Sequence, residues 1–109
     1  MHEMALTQNI VSIVSERAQG ARVKRVSLEI GKLSVVWPGA IRFCFDVCAQ
    51  GTELAGADLQ ITEIAGIKRC LDCRSEMETN EALTPCACGS WNTETVTGEE
   101  LRVKEMELA

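Results

Sequence analysis

The sequence has a single histidine in 109 residues, at position 2. That leaves no histidine-rich metal site and no Ser/His/Asp set for nucleophilic catalysis. A catalytic zinc keeps an open coordination position and often uses histidine, so the composition points away from an enzyme. Long apolar runs are missing too: charges interrupt every stretch well short of the roughly 20 residues that cross a bilayer, which excludes a membrane partner. The chain starts Met1-His2-Glu3, without the basic and apolar regions of a secretory leader, and a cytoplasmic location is expected. Clustered basic residues are also absent. The net charge is −5, and Arg22, Lys24 and Arg25 fall near one strand with Lys68 and Arg69 near another. A nucleic-acid surface needs concentrated Lys and Arg to displace counterions, so none is expected, and the scattered cations read as solvated faces. There is no internal repeat and no low-complexity linker. The length suits one domain with a small appendage.

Against these absences stand six cysteines. In a reducing compartment they favour metal binding or isolated thiols over disulfides. The elements around them follow from hydrophobic spacing. Leu6, Ile10, Ile13, Val14 and Ala18 recur at helical intervals, predicting a helix over 4–18 that Gly20 stops. Val26, Leu28 and Ile30 alternate with Arg25, Ser27 and Glu29, predicting a half-buried strand over 23–30 that ends at Gly31. Pro38 suits the first turn of a second helix. In that helix Ile41, Cys44, Phe45 and Cys48 form an apolar stripe, widened by Phe43 and Val47 and closed by Gly51. Free cysteine behaves there as a small hydrophobe, so Cys44 and Cys48 read as core filling. A strand over 58–64 runs on toward Lys68-Arg69, and a last strand over 101–108 changes phase at Glu105, which suggests a bulge or a weak end. The architecture expected is α+β: two helices packed on a three-stranded sheet, with an inserted zinc-ribbon lobe. The domain boundaries are residues 1–69 plus 99–109 for the α+β part and 70–98 for the lobe, carried outward if the last two strands pair.

The lobe reads Cys70-Leu71-Asp72-Cys73, twelve residues, then Cys86-Ala87-Cys88-Gly89. Zinc(II) takes four ligands in a tetrahedron, with thiolates at about 2.3 Å, and two cysteine turns on facing hairpins make a ribbon. Besides its cysteines the lobe offers only Leu71, Met77, Leu83, Trp91 and Val96, and units this small usually need a metal or disulfides. The second pair is spaced C-x-C, one residue short of the ribbon pattern, and Pro85 stands where the missing cysteine belongs. Cys70, Cys73, Cys86 and Cys88 are the candidate zinc ligands. A fourth ligand from Glu, Asp or a partner's cysteine stays open, as does a redox dithiol at Cys70 and Cys73. The latter lacks the helix-opening βαβ context of a thioredoxin motif.

At the other end, the Met1 α-amine has a pKa near 8, and the His2 amide nitrogen lies between it and the His2 imidazole. Amine, ionised amide and imidazole Nδ1 close fused five- and six-membered chelate rings, a nitrogen set suited to Ni(II) or Cu(II). Glu3, water or another protein can fill a fourth position.

The Met1-His2-Glu3 start, the strand ending Ile30-Gly31-Lys32-Leu33-Ser34, the helix carrying Phe43-Cys44-Phe45-Asp46 and the late ribbon with Cys88-Gly89-Ser90 together resemble the HypA/HybF family over the whole chain. Those proteins are nickel metallochaperones of NiFe-hydrogenase maturation. The resemblance implies transported Ni(II) at Met1, His2 and Glu3, and structural Zn(II) at two cysteine pairs, of which Cys70, Cys73 and Cys88 match directly and Cys86 departs in spacing. It implies as partners a HypB-type GTPase and the hydrogenase large subunit, and leaves a homodimer open. The competing reading is a zinc-ribbon interaction module without specific nickel binding. It is told apart by metal content: one equivalent of zinc and nickel only at background.

Overall fold

The structure is a computed structural model. It describes residues 2–109, with side chains from Glu3 onward. Helices α1 (His2–Ala18) and α2 (Pro38–Ala49) accompany strands β1 (Val23–Gly31), β2 (Asp58–Ile64), β3 (Ile67–Cys70), β4 (Glu76–Glu78), β5 (Thr93–Thr97) and β6 (Leu101–Leu108). The fold is α+β, with two three-stranded sheets ordered β2-β1-β6 and β4-β3-β5. The chain divides into two compact units, residues 1–29, 36–62 and 102–109 in one, residues 30–35 and 63–101 in the other. The second takes in more than the cysteine segment at 70–98.

In the first unit the two helices pack against each other. Helix α1 buries Thr7, Ile10, Val11, Val14 and Ala18, a stripe at intervals of three and four. This differs from the expected face, since Ile13 lies exposed and Leu6 only half-buried. Thr7 and Val11 take their places because the core stripe runs through 7, 11, 14 and 18, and Ile13 falls off its edge. Helix α2 starts from Trp37, with Pro38 in its first turn, where a missing N–H costs nothing. It buries Ile41, Cys44, Phe45 and Ala49. Phe43 and Val47, expected to widen the buried stripe, instead face outward, Phe43 with 70% exposure. One-sided packing uses only a stripe of a helix, and these two lie beyond it.

Strand β1 buries Val23, Val26, Leu28 and Ile30. It is the central strand, with β2 and β6 on its two sides. The two strands flanking the insert therefore do not pair with each other, and the condition for carrying the lobe outward on them is not met: the most apolar strand takes the middle, where both its edges are hydrogen-bonded. The outer face is polar. Arg25 lies on β1 between two acids, 3.4 Å from Asp58 of β2 and 2.5 Å from Glu107 of β6. Such exposed pairs add little energy, but they mark β1 as the middle strand. Along β6 the half-buried positions are Leu101, Val103 and Met106, so the alternation slips at Glu105 as its phase change suggests.

In the second unit β3 pairs antiparallel with both neighbours, Lys68 opposite Met77 on β4 and Thr95 on β5. Strand β2 ends at Ile64, as expected for 58–64, and the chain resumes as β3 at Ile67. Between them Gly66 leaves no room for a side chain: a Cβ there would overlap the Thr79 carbonyl oxygen and the Leu33 side chain. Polar bonds rather than a core hold the long segment after β4. The Thr79 amide donates to the Gly66 carbonyl at 2.8 Å, and buried Lys68 donates through Nζ to the Ala82 carbonyl at 2.6 Å. Leu71, Leu83, Trp91 and Val96 all lie on the surface, Leu83 with 83% of its area exposed.

Candidate metal centre

Two tight turns build the centre. The first leaves β3 at Cys70. The Arg74 amide donates to the Cys70 carbonyl at 2.9 Å, and the Cys73 amide points at Cys70 Sγ, 3.4 Å away. The second turn spans Cys86 to Ser90. The Cys86 amide donates to the Ser90 carbonyl and the Gly89 amide to the Cys86 carbonyl, each at 2.8 Å. Gly89 turns the chain back at φ +91°, a conformation in which a side chain is strained. The turns are tied together beyond their sulfurs: the Leu71 amide donates to the Asn92 carbonyl at 2.9 Å, and the Ser90 hydroxyl donates to the Asp72 carboxylate.

This arrangement gathers Cys70, Cys73, Cys86 and Cys88, whose sulfurs all lie within 4.8 Å of one another. Two edges cross between turns, Cys70 to Cys88 at 3.7 Å and Cys73 to Cys86 at 3.5 Å. A tetrahedron with metal–sulfur bonds of about 2.3 Å has edges of about 3.8 Å. The four thiols thus form a cage of the size and donor type that a zinc ion takes. Cys86, the position in question from spacing, is one of its corners. Cys70 and Cys86 are buried, Cys73 and Cys88 exposed.

The surroundings favour thiolate at Cys70 and Cys86, while at Cys88 the Ser90 amide is outweighed by hydrogen bonds with the neighbouring Cys86 and Cys70 thiols, which push it up to about 12. The Cys73 amide lowers the Cys70 pKa. The Cys88 amide, with the Ser75 hydroxyl and the Cys73 thiol, lowers Cys86 to about 6. Amides aimed at sulfur stabilise the deprotonated form that metals bind. Ser75 is a participant that spacing rules miss. Its hydroxyl lies 3.0 Å from Cys73 Sγ and 3.5 Å from Cys86 Sγ. A serine two residues past a cysteine is too common to single out, and only the folded turn shows what it touches. Asp72, inside the C-x-x-C turn, was equally inconspicuous.

The amino-terminal candidates fall at the start of α1. Met1 and the His2 side chain lie outside the described residues. Glu3 sits in the first helical turn. Its own backbone amide, with the Trp37 amide at the head of α2, lowers its carboxyl pKa. The beginnings of the two helices therefore meet around the Glu3 carboxylate. Thr7, fully buried, donates from its hydroxyl to the Glu3 carbonyl at 2.6 Å and secures this turn. No helix among the described residues is long and apolar enough to cross a membrane.

A family model described as hydrogenase/urease nickel incorporation, metallochaperone, HypA matches residues 1–108. The hydrogenase maturation factor HypA of Nostoc punctiforme is 56% identical over 108 residues, which cover 99% of this chain and 96% of that protein. The HypA of Geotalea uraniireducens is 48% identical over 109 residues, 99% of each chain. Among solved structures, that of the nickel metallochaperone HypA from Helicobacter pylori superposes with a TM-score of 0.69 at 22% identity, covering 97% of this chain and 96% of that one. A second solution structure of a HypA protein superposes at 0.73 and 23% identity, over 100% and 97%. At such identities the superpositions speak for the fold, and the curated relatives for the family. A metallochaperone carries a metal and does not catalyse a reaction. This chain belongs to the HypA family of nickel-incorporation metallochaperones.

Proposed function

We propose that this chain carries Ni(II) as cargo on the Met1 amine, the His2 amide and imidazole, and Glu3, and delivers it to the large subunit of a NiFe-hydrogenase in concert with a HypB-type GTPase. The observation that carries this reading is the family match along the chain, joined to a sequence that starts Met-His-Glu. Amine and imidazole nitrogens suit nickel, and a partner's ligand can replace one of them and take the ion stepwise. In this reading the cytoplasm is the site of exchange, and residues 1–69 plus 99–109 serve nickel while residues 70–98 form the zinc ribbon.

Zinc at Cys70, Cys73, Cys86 and Cys88 is structural in the same reading. Four sulfurs close its coordination, leaving no position for a substrate. When bound, zinc supplies the cross-link between the two turns that the exposed side chains of the lobe do not.

The test is elemental analysis with X-ray absorption on untagged protein, wild type and His2→Ala. Wild type holds one equivalent each of nickel and zinc, nickel among nitrogen and oxygen donors and zinc among sulfurs. His2→Ala loses nickel and keeps zinc, and an added amino-terminal tag has the same effect by removing the free amine. Unchanged nickel affinity in His2→Ala would sink the assignment.

A further inference from the structure

Cys48 on α2 and Met4 on α1 bring a thiol and a thioether together outside both sites already described. Cys48 Sγ lies 3.4 Å from Met4 Sδ. Both residues line an open cavity of about 460 Å³ between the helices, whose polar lining includes Gln8, Ser12 and Thr52. Cys44, one turn earlier on α2, is buried in the core and does not line it.

The donor set is selective. Among the described residues no carboxylate or imidazole lines the cavity, so these offer no anionic oxygen to hold a magnesium or calcium ion. Thiolate and thioether together are soft donors, the pair that selects monovalent d10 ions such as Cu(I) and Ag(I). A trigonal site with metal–sulfur bonds of about 2.3 Å separates its donors by about 4 Å. The two sulfurs therefore need to part by only about half an ångström, within reach of the flexible methionine side chain. The cavity leaves a third position open and gives the ion a route in. We propose that Met4 and Cys48 form a second, soft-metal site that takes a monovalent d10 ion. The Cys48 thiol gives up its proton to solvent as its sulfur bonds the ion, and Met4 Sδ donates a lone pair. Burial raises the Cys48 pKa, so the thiol stays protonated and inert toward weaker Lewis acids.

The test is methyl NMR of protein labelled at the ε-carbon of its four methionines, zinc-loaded, titrated with silver nitrate, with Met4 assigned from Met4→Leu. The Met4 methyl signal shifts within the first two equivalents while zinc stays bound. Cys48→Ser abolishes that shift, Cys44→Ser preserves it, and His2→Ala preserves it, which separates this site from the nickel assignment. A Met4 signal that stays still, that moves equally in Cys48→Ser, that depends on Cys44, or that moves only after zinc is released would overturn the proposal.

Discussion

Replacing Cys86 with alanine is the sharpest test of the four-sulfur centre, because the C-x-C spacing makes Cys86 the ligand that counting residues would leave out. In small zinc-dependent folds the ion is held with roughly seven to twelve decades of affinity at pH 7. Shared evenly among four sulfurs, each accounts for about two to three decades. Cys86 has geometry for a full share: its sulfur is 3.5 Å from Cys73 Sγ, near the roughly 3.8 Å edge of a zinc tetrahedron, and the side chain is buried. Cys86→Ala should therefore weaken zinc by about a hundredfold to a thousandfold in competition with a chromophoric chelator. Cobalt substitution should change from a four-thiolate to a three-thiolate spectrum. The loss should reach the lobe itself, with faster amide exchange in β3, β4 and β5, since Leu83 and Trp91 lie on the surface and offer no core to replace the metal. Cys44→Ala, outside the cluster, should leave zinc affinity unchanged. Zinc binding within about threefold of wild type in Cys86→Ala, with the cobalt spectrum intact, would refute the argument and point to a carboxylate or a partner as the fourth ligand.

Other consequences can be read without metal. Leu54, fully buried in the loop before β2, should cost about 2–5 kcal/mol when cut to alanine, lowering Tm by at least about 8 °C in a scanning melt, with one zinc still bound. Gly66→Ala places a Cβ onto the Thr79 carbonyl and Leu33. It should destabilise the second unit by about 1–3 kcal/mol, seen as faster exchange of its amides; unchanged protection would mean that the contact at Gly66 yields to a side chain. Ser15 donates to Glu53 at 2.7 Å, and that bond is the main cause holding the Glu53 carboxyl below its ordinary value of 4.5. A depressed carboxyl stabilises the fold above its unfolded pKa and stops doing so as pH falls through the folded one. Urea titrations should thus show Ser15→Ala costing most at neutral pH and progressively less below about pH 4.5.

Much of the fold was legible because hydrophobic spacing reports one buried face at a time. The expected helix over 4–18 and strand over 58–64 correspond to His2–Ala18 and Asp58–Ile64. Which apolar residues share the stripe was less legible. Phe43 and Val47 are as apolar as Phe45, but α2 packs on one side, and only the partner element decides which edge of a broad stripe is covered. Strand order was not legible either. Spacing shows that β2 and β6 flank an insert, and leaves open whether they pair. The strand they both pair with lies earlier in the chain, and what places it between them is its own apolar content, with Val26, Leu28 and Ile30 all buried.

The cysteine cluster shows where a spacing rule stops being informative. Counting residues from Cys88 points to Pro85, and treats Cys86 as displaced. The ion does not meet residue numbers, only sulfur positions, and these depend on how the turn bends. Here the Cys86 amide bonds to the Ser90 carbonyl, Gly89 adopts positive φ, and the Cys86–Ser90 segment closes on itself. That closure turns both sulfurs toward Cys70 and Cys73, so that the cross-turn edges come out at 3.7 and 3.5 Å despite the missing residue. The shorter pair is compensated by backbone shape and by the Ser75 hydroxyl beside Cys73 and Cys86. None of these contacts has a signature in the order of side chains. By contrast, the proposed amino-terminal chelate draws on donors adjacent in the chain: an amine, the next amide and that residue's imidazole would close their rings through covalent bonds alone, whatever the fold does.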